Sequence, residues 1–385
     1  MKSFEEEFAE IQQLCQSSEY IREVEQLNRL LSHGDLVLYG AGALGVILAS
    51  NLKSYGIKAA CFCDKNKAGT IEKESGLPIV SPQTLVNDYP GANIVISSST
   101  YADEIKQDLV ALGIASERII SEIFFNVVVT SIASLWDSWD VKSHVDDYKR
   151  AYGLYHDDIS KRIMLERLKC HLTPYPFIPS RHALIAAPIN QMYFGVDDIT
   201  LSHDEVFVDG GMYTGDTTER FFKCVGSNYK HYYGFEPDRK NADTAGRNFA
   251  GKPDVTICAK GLWSSETRLL FSEDLGSVSH LNEMGDAFVD VTALDIYFSK
   301  YVSTPPPHEV PTLIKMDIEG AELEAVKGAE HIIREHKPKL AISVYHKPED
   351  IYTLPEFIYN CRDDYKFYLR HYDAHSICET VLYAV

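Results

Sequence analysis

Nowhere does the chain hold an apolar run near the roughly 18 to 20 residues that a membrane-crossing helix needs. Its opening residues, Met1 to Glu10, are acidic where a secretory leader is basic and then apolar. Both absences predict a cytoplasmic protein with no membrane partner. Basic residues are also scarce, with 37 Lys and Arg against 56 Asp and Glu and a net charge of −19. Affinity for DNA or RNA depends on Lys and Arg neutralising phosphates, so nucleic acid is not an expected partner, and the acid surplus reads as a solubilising surface. The eight cysteines are scattered at 15, 61, 63, 170, 224, 258, 361 and 378. Their one close pair, Cys61 and Cys63, has no second pair or histidine cluster beside it, so buried reduced thiols and no metal centre are expected.

What is present is an ordinary globular composition, 45% hydrophobic and 24% charged, over 385 residues, more than one core usually organises. Residues 1–33 read as helical, with Phe4, Phe8, Ile11 and Leu14, then Ile21, Val24, Leu27, Leu30 and Leu31, at helical spacing. A first α/β domain is predicted over 34–121. Its strands are Leu36–Tyr39, Ala59–Cys63, Asn93–Ser97 and Arg118–Ile120, and its helices Val46–Tyr55 and Ala102–Leu112. Residues 122–205 read as a mainly helical bridge, for example Ile159–Lys169, followed by Pro174, Pro176, Pro179 and Pro188, which no continuous helix tolerates. A second α/β domain fills 206–385. Seven strands are predicted there, at Val206–Val208, Tyr232–Phe235, Val255–Cys258, Thr312–Met316, Leu340–Tyr345, Lys366–Leu369 and Thr380–Ala384. The first five alternate with helical segments, as in a doubly wound sheet. The last two are separated by only about ten residues, too few for a parallel crossover, and are expected as an antiparallel pair at the sheet edge.

The second domain carries the chemistry. Val206-Phe-Val-Asp209 runs into Gly210-Gly211-Met212-Tyr213-Thr214-Gly215 and then Asp216, Thr217 and Thr218, which are expected to cap a helix. Strand, acid, glycine turn and helix start suit a nucleoside-type ligand, because glycine permits close approach and the helix N-terminus presents free N–H groups. Glu236 in Gly234-Phe-Glu-Pro237-Asp238 ends the next strand, where a carboxylate can accept both ribose hydroxyls. Either motif alone is compatible with an ordinary turn and strand-end acid. Asp317 and Glu319, in Leu313-Ile-Lys-Met-Asp-Ile-Glu-Gly-Ala-Glu322, end the fourth strand, and His346, in Ser343-Val-Tyr-His-Lys-Pro-Glu349, ends the fifth. Ligands of open α/β sheets bind beyond the carboxyl ends of strands where strand order reverses, so these groups should converge on one crevice.

Together these residues resemble the FkbM-type methyltransferases, relatives of the seven-stranded class I enzymes. The resemblance spans about residues 145–385 and includes Gly261-Leu-Trp263, Lys337-Pro-Lys339 and His346-Lys-Pro-Glu-Asp350. It implies S-adenosylmethionine as cofactor, with Asp209 to Gly215 cradling its methionine moiety, Glu236 holding its ribose, and Asp317 and Glu319 lining the methyl-transfer cleft. With Asp216, Thr217 and Pro237 beside them, these complete the expected cofactor-binding set. Tyr213 departs from the general class I pattern, which often places glycine there. His346 is the preferred base, since imidazole titrates near neutrality, with a structural hydrogen-bonding role as its alternative and Asp317 and Glu319 as rivals. The two carboxylates could also hold a divalent cation, although no motif compels it. His280, on an expected insertion between the third and fourth strands, faces either the acceptor or solvent.

In the first domain Gly40-x-Gly42-x-x-Gly45 follows a strand and opens a helix, and Asp64 ends the next strand, which is the dinucleotide fingerprint in its usual context. It does not distinguish NAD, a nucleotide-sugar or an empty scaffold, and no dehydrogenase residue set follows. An accessory binding role is therefore favoured. The leading expectation for the whole chain is O-methylation of a sugar or glycan-precursor hydroxyl, the acceptor being a small molecule or glycan. An NAD-dependent sugar-modifying oxidoreductase and a non-catalytic nucleotide-binding protein are the rivals.

Overall fold

The computed structural model describes residues 3–15, 29–30, 33–54, 57–98, 101–120, 141–172, 187–194, 199–271, 287–301, 310–373 and 378–385. His280, residues 122–140, Pro174, Pro176 and Pro179 lie outside the described residues. Two compact units emerge, one of residues 1–141, 165–184 and 375–377, the other of 142–164, 185–374 and 378–385. The segment 122–205 is thus divided between them.

In the first unit six strands, β1 (Leu36–Tyr39), β2 (Cys61–Cys63), β3 (Thr70–Ile71), β4 (Pro78–Val80), β5 (Asn93–Ile96) and β6 (Ile119–Ile120), lie in the order β3-β4-β2-β1-β5-β6. All neighbours pair parallel except β3 with β4. Alternate β1 residues enter opposite layers. Leu36 and Leu38 pack with Leu48 and Leu52 of the helix Ala43–Ser54, while Val37 and Tyr39 pack with Leu85 and Leu109 of the helices Pro82–Asp88 and Ala102–Ala111. Burial on both faces is why so short a strand is apolar throughout. β3 and β4 escape the sequence reading because they occupy a turn-rich stretch and β4 begins on proline, a position where a strand tolerates it.

The second unit holds seven strands: β7 (Val206–Gly210), β8 (His231–Phe235), β9 (Val255–Cys258), β13 (Leu313–Met316), β14 (Lys339–Ser343), β15 (Phe367–His371) and β16 (Thr380–Ala384). They run β15-β16-β14-β13-β7-β8-β9, with β16 antiparallel to both neighbours and the other pairs parallel. The expected antiparallel edge pair is present. A smaller sheet of β10 (Gly261–Leu262), β11 (Thr267–Phe271) and β12 (Ala287–Thr292) intervenes in sequence between β9 and β13, and no sequence signal announced it. The described residues from 142 to 164 are more than a bridge. Tyr148, on the helix Val145–Leu154, meets Tyr352 edge-on with centroids 5.0 Å apart, Tyr155 donates to the Ile351 carbonyl at 2.6 Å, and Ser160 Oγ accepts the Leu369 N–H at 2.8 Å.

At the amino-terminal end of the sheet the buried Glu205 pairs with Lys339 and accepts from Thr312, tying together the entries of β7, β13 and β14. Lys339 therefore serves the foot of the sheet. The cysteine expectation needs one correction, because Cys224 is exposed and Cys258, Cys361 and Cys378 are only partly covered. Cys61 and Cys63 are buried, and burial pushes the Cys61 thiol up to about 11, where it is inert.

Candidate active site

Strand order reverses between β7 and β13, so the loops leaving their carboxyl ends face one crevice. Parallel register places Asp209 directly beside Lys315. Both side chains are buried, with Lys315 Nζ 3.0 Å from Asp209 Oδ1 and within 3.0 and 2.8 Å of the Gly210 and Gly211 carbonyls. Against the cost of burial, Asp209 and Asp317 hold the lysine above its usual pKa, so it stays charged. Tyr232, itself bonded to Thr218 at 2.6 Å, donates to Asp209 Oδ2 at 3.0 Å. Asp209 is thus held from within the protein by Lys315 and Tyr232, which places it as a support of the glycine loop.

The glycine loop is likewise held by its own chain. At Gly211, with φ +71°, a Cβ would overlap the Asp317 carbonyl oxygen, and at Gly210 it would stand 2.7 Å from Leu262 Cδ1. Gly215, with φ +102°, is the N-cap of the helix Asp216–Val225, and a Cβ there would overlap the Phe249 ring. No side chain caps this helix, contrary to the capping role expected of Asp216, Thr217 and Thr218. Met212 is also corrected, since its side chain is core, packed with Phe207 and Phe221, and leaves only its backbone for a ligand. Thr217 is buried, Asp216 exposed and Thr214 half-buried. Tyr213 is 44% exposed and has φ +51°, a left-handed backbone that favours glycine.

Glu236 stands at the carboxyl end of β8 and is 7% exposed. Its Oε2 accepts the Tyr213 N–H at 3.0 Å and its Oε1 the Asp238 N–H at 2.9 Å, so one carboxylate joins the two loops. Burial pushes it up to about 7, against the pull of those two N–H groups. Each oxygen keeps a lone pair, which is the donor-accepting set a vicinal diol requires. Pro237 is half-buried beside it and near Gly261.

Asp317, Glu319 and His346 are brought together, as the sequence led us to expect. His346 Nε2 lies 3.5 Å from Asp317 Oδ1 and 3.3 Å from Glu319 Oε2. Glu322 was missed: it is fully buried, its Oε1 lies 2.9 Å from His346 Nδ1, and it accepts the Ile318 N–H at 2.9 Å. Against the cost of burial, Glu322 and Glu319 hold the imidazole well above the usual histidine range. Tyr193 and Tyr345 were also missed; their hydroxyls donate to Asp317 Oδ2 and Oδ1 at 2.9 and 3.2 Å. Two of the residues that shape this end, Tyr193 (φ +72°) and Glu319 (φ +55°), occupy left-handed backbone without being glycine. Only Glu322 had a sequence signal, as the third acid of its motif. Tyr193 lies more than a hundred residues from Asp317 in sequence and had none.

In the first unit the fingerprint residues also meet. A Cβ at Gly40 (φ +113°) would lie 2.6 Å from Ser97 Oγ, one at Gly45 would overlap the Gly40 carbonyl, and Gly42 has open space. Asp64, however, spends Oδ2 on the Ala41 N–H at 3.0 Å and Oδ1 on the N–H groups of Asn66 and Lys67 at 2.8 and 3.1 Å. Lys67 Nζ donates back to the Ala41 carbonyl at 2.6 Å. The strand-end acid of the fingerprint closes its own loop.

The family model described as methyltransferase FkbM domain matches residues 209–367, and one described as C2185-like, N-terminal, matches residues 33–120. No curated protein matches. Among solved structures the chain is similar to methyltransferase FkbM from Methylobacillus flagellatus KT, with 23% identity, 94% of this chain and 92% of that one covered, and a TM-score of 0.70. It is more distantly similar to Aeropyrum pernix fibrillarin in complex with natively bound S-adenosyl-L-methionine, with 13% identity, 50% of this chain and 71% of that one covered, and a TM-score of 0.32. A SAM dependent methyltransferase from Aquifex aeolicus shows 14% identity, 54% and 98% coverage, and a TM-score of 0.27. The first likeness establishes the fold, and among the described residues no helix is long and apolar enough to cross a membrane. The FkbM match encloses the glycine loop, Glu236, the Asp317–Glu322 turn and His346, so that residues 209–367 are similar to a methyltransferase FkbM domain and lie on the same α/β fold as the Methylobacillus flagellatus protein.

Proposed function

We propose that the second unit transfers a methyl group to a hydroxyl of a sugar or glycan precursor, holding its donor on the Gly211–Gly215 loop and Glu236. The observation that carries the donor assignment is the Glu236 carboxylate, fixed at the end of β8 by one backbone N–H on each oxygen and left with a lone pair on each. The first bond of the helix Asp216–Val225 runs from the Glu219 N–H to the Gly215 carbonyl, so the N–H groups of Asp216, Thr217 and Thr218 are available to an anionic group such as a carboxylate. Bound S-adenosylmethionine supplies a methyl group already activated on a sulfonium. The protein's remaining work is to position the acceptor in line and remove its proton.

For that proton we favour Glu319 over His346. A base must reach the acceptor hydroxyl, and the imidazole is 3% exposed with both nitrogens facing carboxylates, whereas the Glu319 and Asp317 side chains are 27% and 23% exposed. The acceptor oxygen would release its proton to the carboxylate as it takes the methyl group. Carboxylates at this end also suit a polyhydroxylated acceptor, since each accepts hydrogen bonds from hydroxyls. In the first unit, Asp64 is already committed to its own loop, which favours an accessory role for residues 34–121 over an NAD-dependent activity. A nucleotide there would not be the methyl donor.

Donor binding tests the assignment. Ionised Glu236 accepts hydroxyls and protonated Glu236 does not do so on both oxygens. Affinity for the demethylated product should therefore rise as pH passes upward through about 7. For stability the sign is opposite: a raised carboxyl pKa contributes stability below its unfolded value that is lost as pH rises through about 7. Glu236→Gln should flatten the affinity profile and weaken binding by about 1 to 3 kcal/mol, the scale of hydrogen bonds to a charged group. Calorimetry at pH 6, 7 and 8 giving equal affinities for both proteins would refute the ribose assignment. Tight NAD binding with none of the methyl donor would instead favour the oxidoreductase reading.

A further inference from the structure

Three carboxylates, Asp317, Glu319 and Glu322, surround His346, and among the described residues no lysine or arginine is ion-paired with any of them. The nearby Lys315 is committed to Asp209 at 3.0 Å and to the Gly210 and Gly211 carbonyls. The imidazolium of His346 sets one positive charge against three carboxylates, and a divalent cation would compensate the remaining excess of negative charge. Among the described residues, one donor atom each of Asp317, Glu322 and His346 lie within 4.8 Å of one another. The cluster has a second mark of a ligand. His346 and Glu322 are 3% and 0% exposed, yet both ring nitrogens and Glu322 Oε2 make no hydrogen bond among the described residues. The two ring nitrogens diverge, so the imidazole would give one of them to an ion shared with Asp317 and Glu322.

We infer that Asp317, Glu322 and His346 form a binding site for a divalent transition cation. Bonds of about 2.0–2.2 Å place donor atoms about 3 to 4 Å apart, so the three need only a small inward movement to close on an ion. One imidazole nitrogen with two carboxylates suits Mn²⁺, Fe²⁺ or Zn²⁺, whereas Ca²⁺ takes oxygen alone. The supporting hydrogen bonds are in place: Tyr193 and Tyr345 orient the two Asp317 oxygens, and the Ile318 N–H orients Glu322. Such outer partners fix the direction of metal-binding carboxylates. The left-handed Glu319–Gly320 turn (φ +55° and +93°) lets Asp317 and Glu322, five residues apart, return to the same point. In the reading proposed above, the cation would polarise the acceptor hydroxyl while Glu319 takes its proton. Metal binding itself is independent of the acceptor and of the donor.

The full chain, stripped with chelator and titrated with Mn²⁺, should bind one ion per protein by electron spin resonance. Pulsed measurements should show modulation from one imidazole nitrogen. Zn²⁺ should compete, and Ca²⁺ should not. His346→Ala should abolish the nitrogen modulation, and Tyr193→Phe, which keeps the ring and removes only the hydroxyl on Asp317, should weaken Mn²⁺ binding by about 10-fold or more. Glu322→Gln should weaken it further, with circular dichroism confirming the fold. Absence of Mn²⁺ and Zn²⁺ binding by the folded chain overturns the assignment. So does binding without nitrogen modulation, or binding unchanged in Tyr193→Phe and His346→Ala. Donor calorimetry on the same metal-free protein separates the outcomes, because a failed metal site leaves the Glu236 assignment standing, and the reverse.

Discussion

Lys315→Ala is expected to lower folding stability by about 3 to 5 kcal/mol, the usual penalty for stranding one member of a buried ion pair. The lysine is 2% exposed and Asp209 0%, and three oxygens converge on its ammonium within about 3 Å: Asp209 Oδ1 and the Gly210 and Gly211 carbonyls. Removing it leaves a carboxylate in the sheet interior and two loop carbonyls without their donor. Because those carbonyls belong to the glycine turn, donor binding should be lost together with stability. Urea denaturation of Lys315→Ala measures the first effect. The double variant Asp209→Asn with Lys315→Met, which removes both charges, should recover part of the loss. A single-variant loss below about 1 kcal/mol would mean that the pair is not the anchor described here.

The second large effect is expected at Gly211. A valine there must adopt φ near +71° and place its Cβ on the Asp317 carbonyl, so both backbone strain and overpacking apply. The expected loss is about 2 to 5 kcal/mol, combining the cost of a left-handed L-residue with that of forcing the β7 and β13 loops apart. Gly42→Ala is the contrasting case, since no atom lies within 4 Å of the added Cβ, and stability should change by less than about 1 kcal/mol. The pair distinguishes two reasons for a glycine-rich turn. If Gly211→Val melts like the parent and loses only donor affinity, the glycine makes room for a ligand; if it unfolds more easily with or without ligand, it makes room for the protein itself.

That distinction marks how far the sequence could be read. Asp209 stands where a strand meets a glycine turn, and pattern alone assigns it to the ligand. Its neighbour across the sheet, Lys315, lies 106 positions away, and only the register of β7 against β13 shows that the acid is already paired. Met212 lies within the turn motif, but its side chain packs into the core beneath. Thr217 and Thr218 have the chemistry of helix caps, yet the N-cap is Gly215, whose left-handed backbone makes the turn without a side chain. Asp64 ends its strand as a dinucleotide site would require, and the folded loop spends it on Ala41.

The sequence by itself determined the seven strands of the second domain's main sheet, the antiparallel pair at its edge, and the placing of Glu236, Asp317, Glu319 and His346 at strand ends. Each follows from local pattern, since apolar runs of strand length, helical spacing and connection length act over tens of residues. Tertiary structure alone decided which of those polar groups are spent on the protein and which remain for ligands. Lys315 beside Asp209, Tyr193 on Asp317 and Glu322 against His346 are meetings between distant or differently oriented segments. In a buried, weakly screened interior each such meeting changes what a carboxylate can do, and no local pattern encodes which partner will arrive.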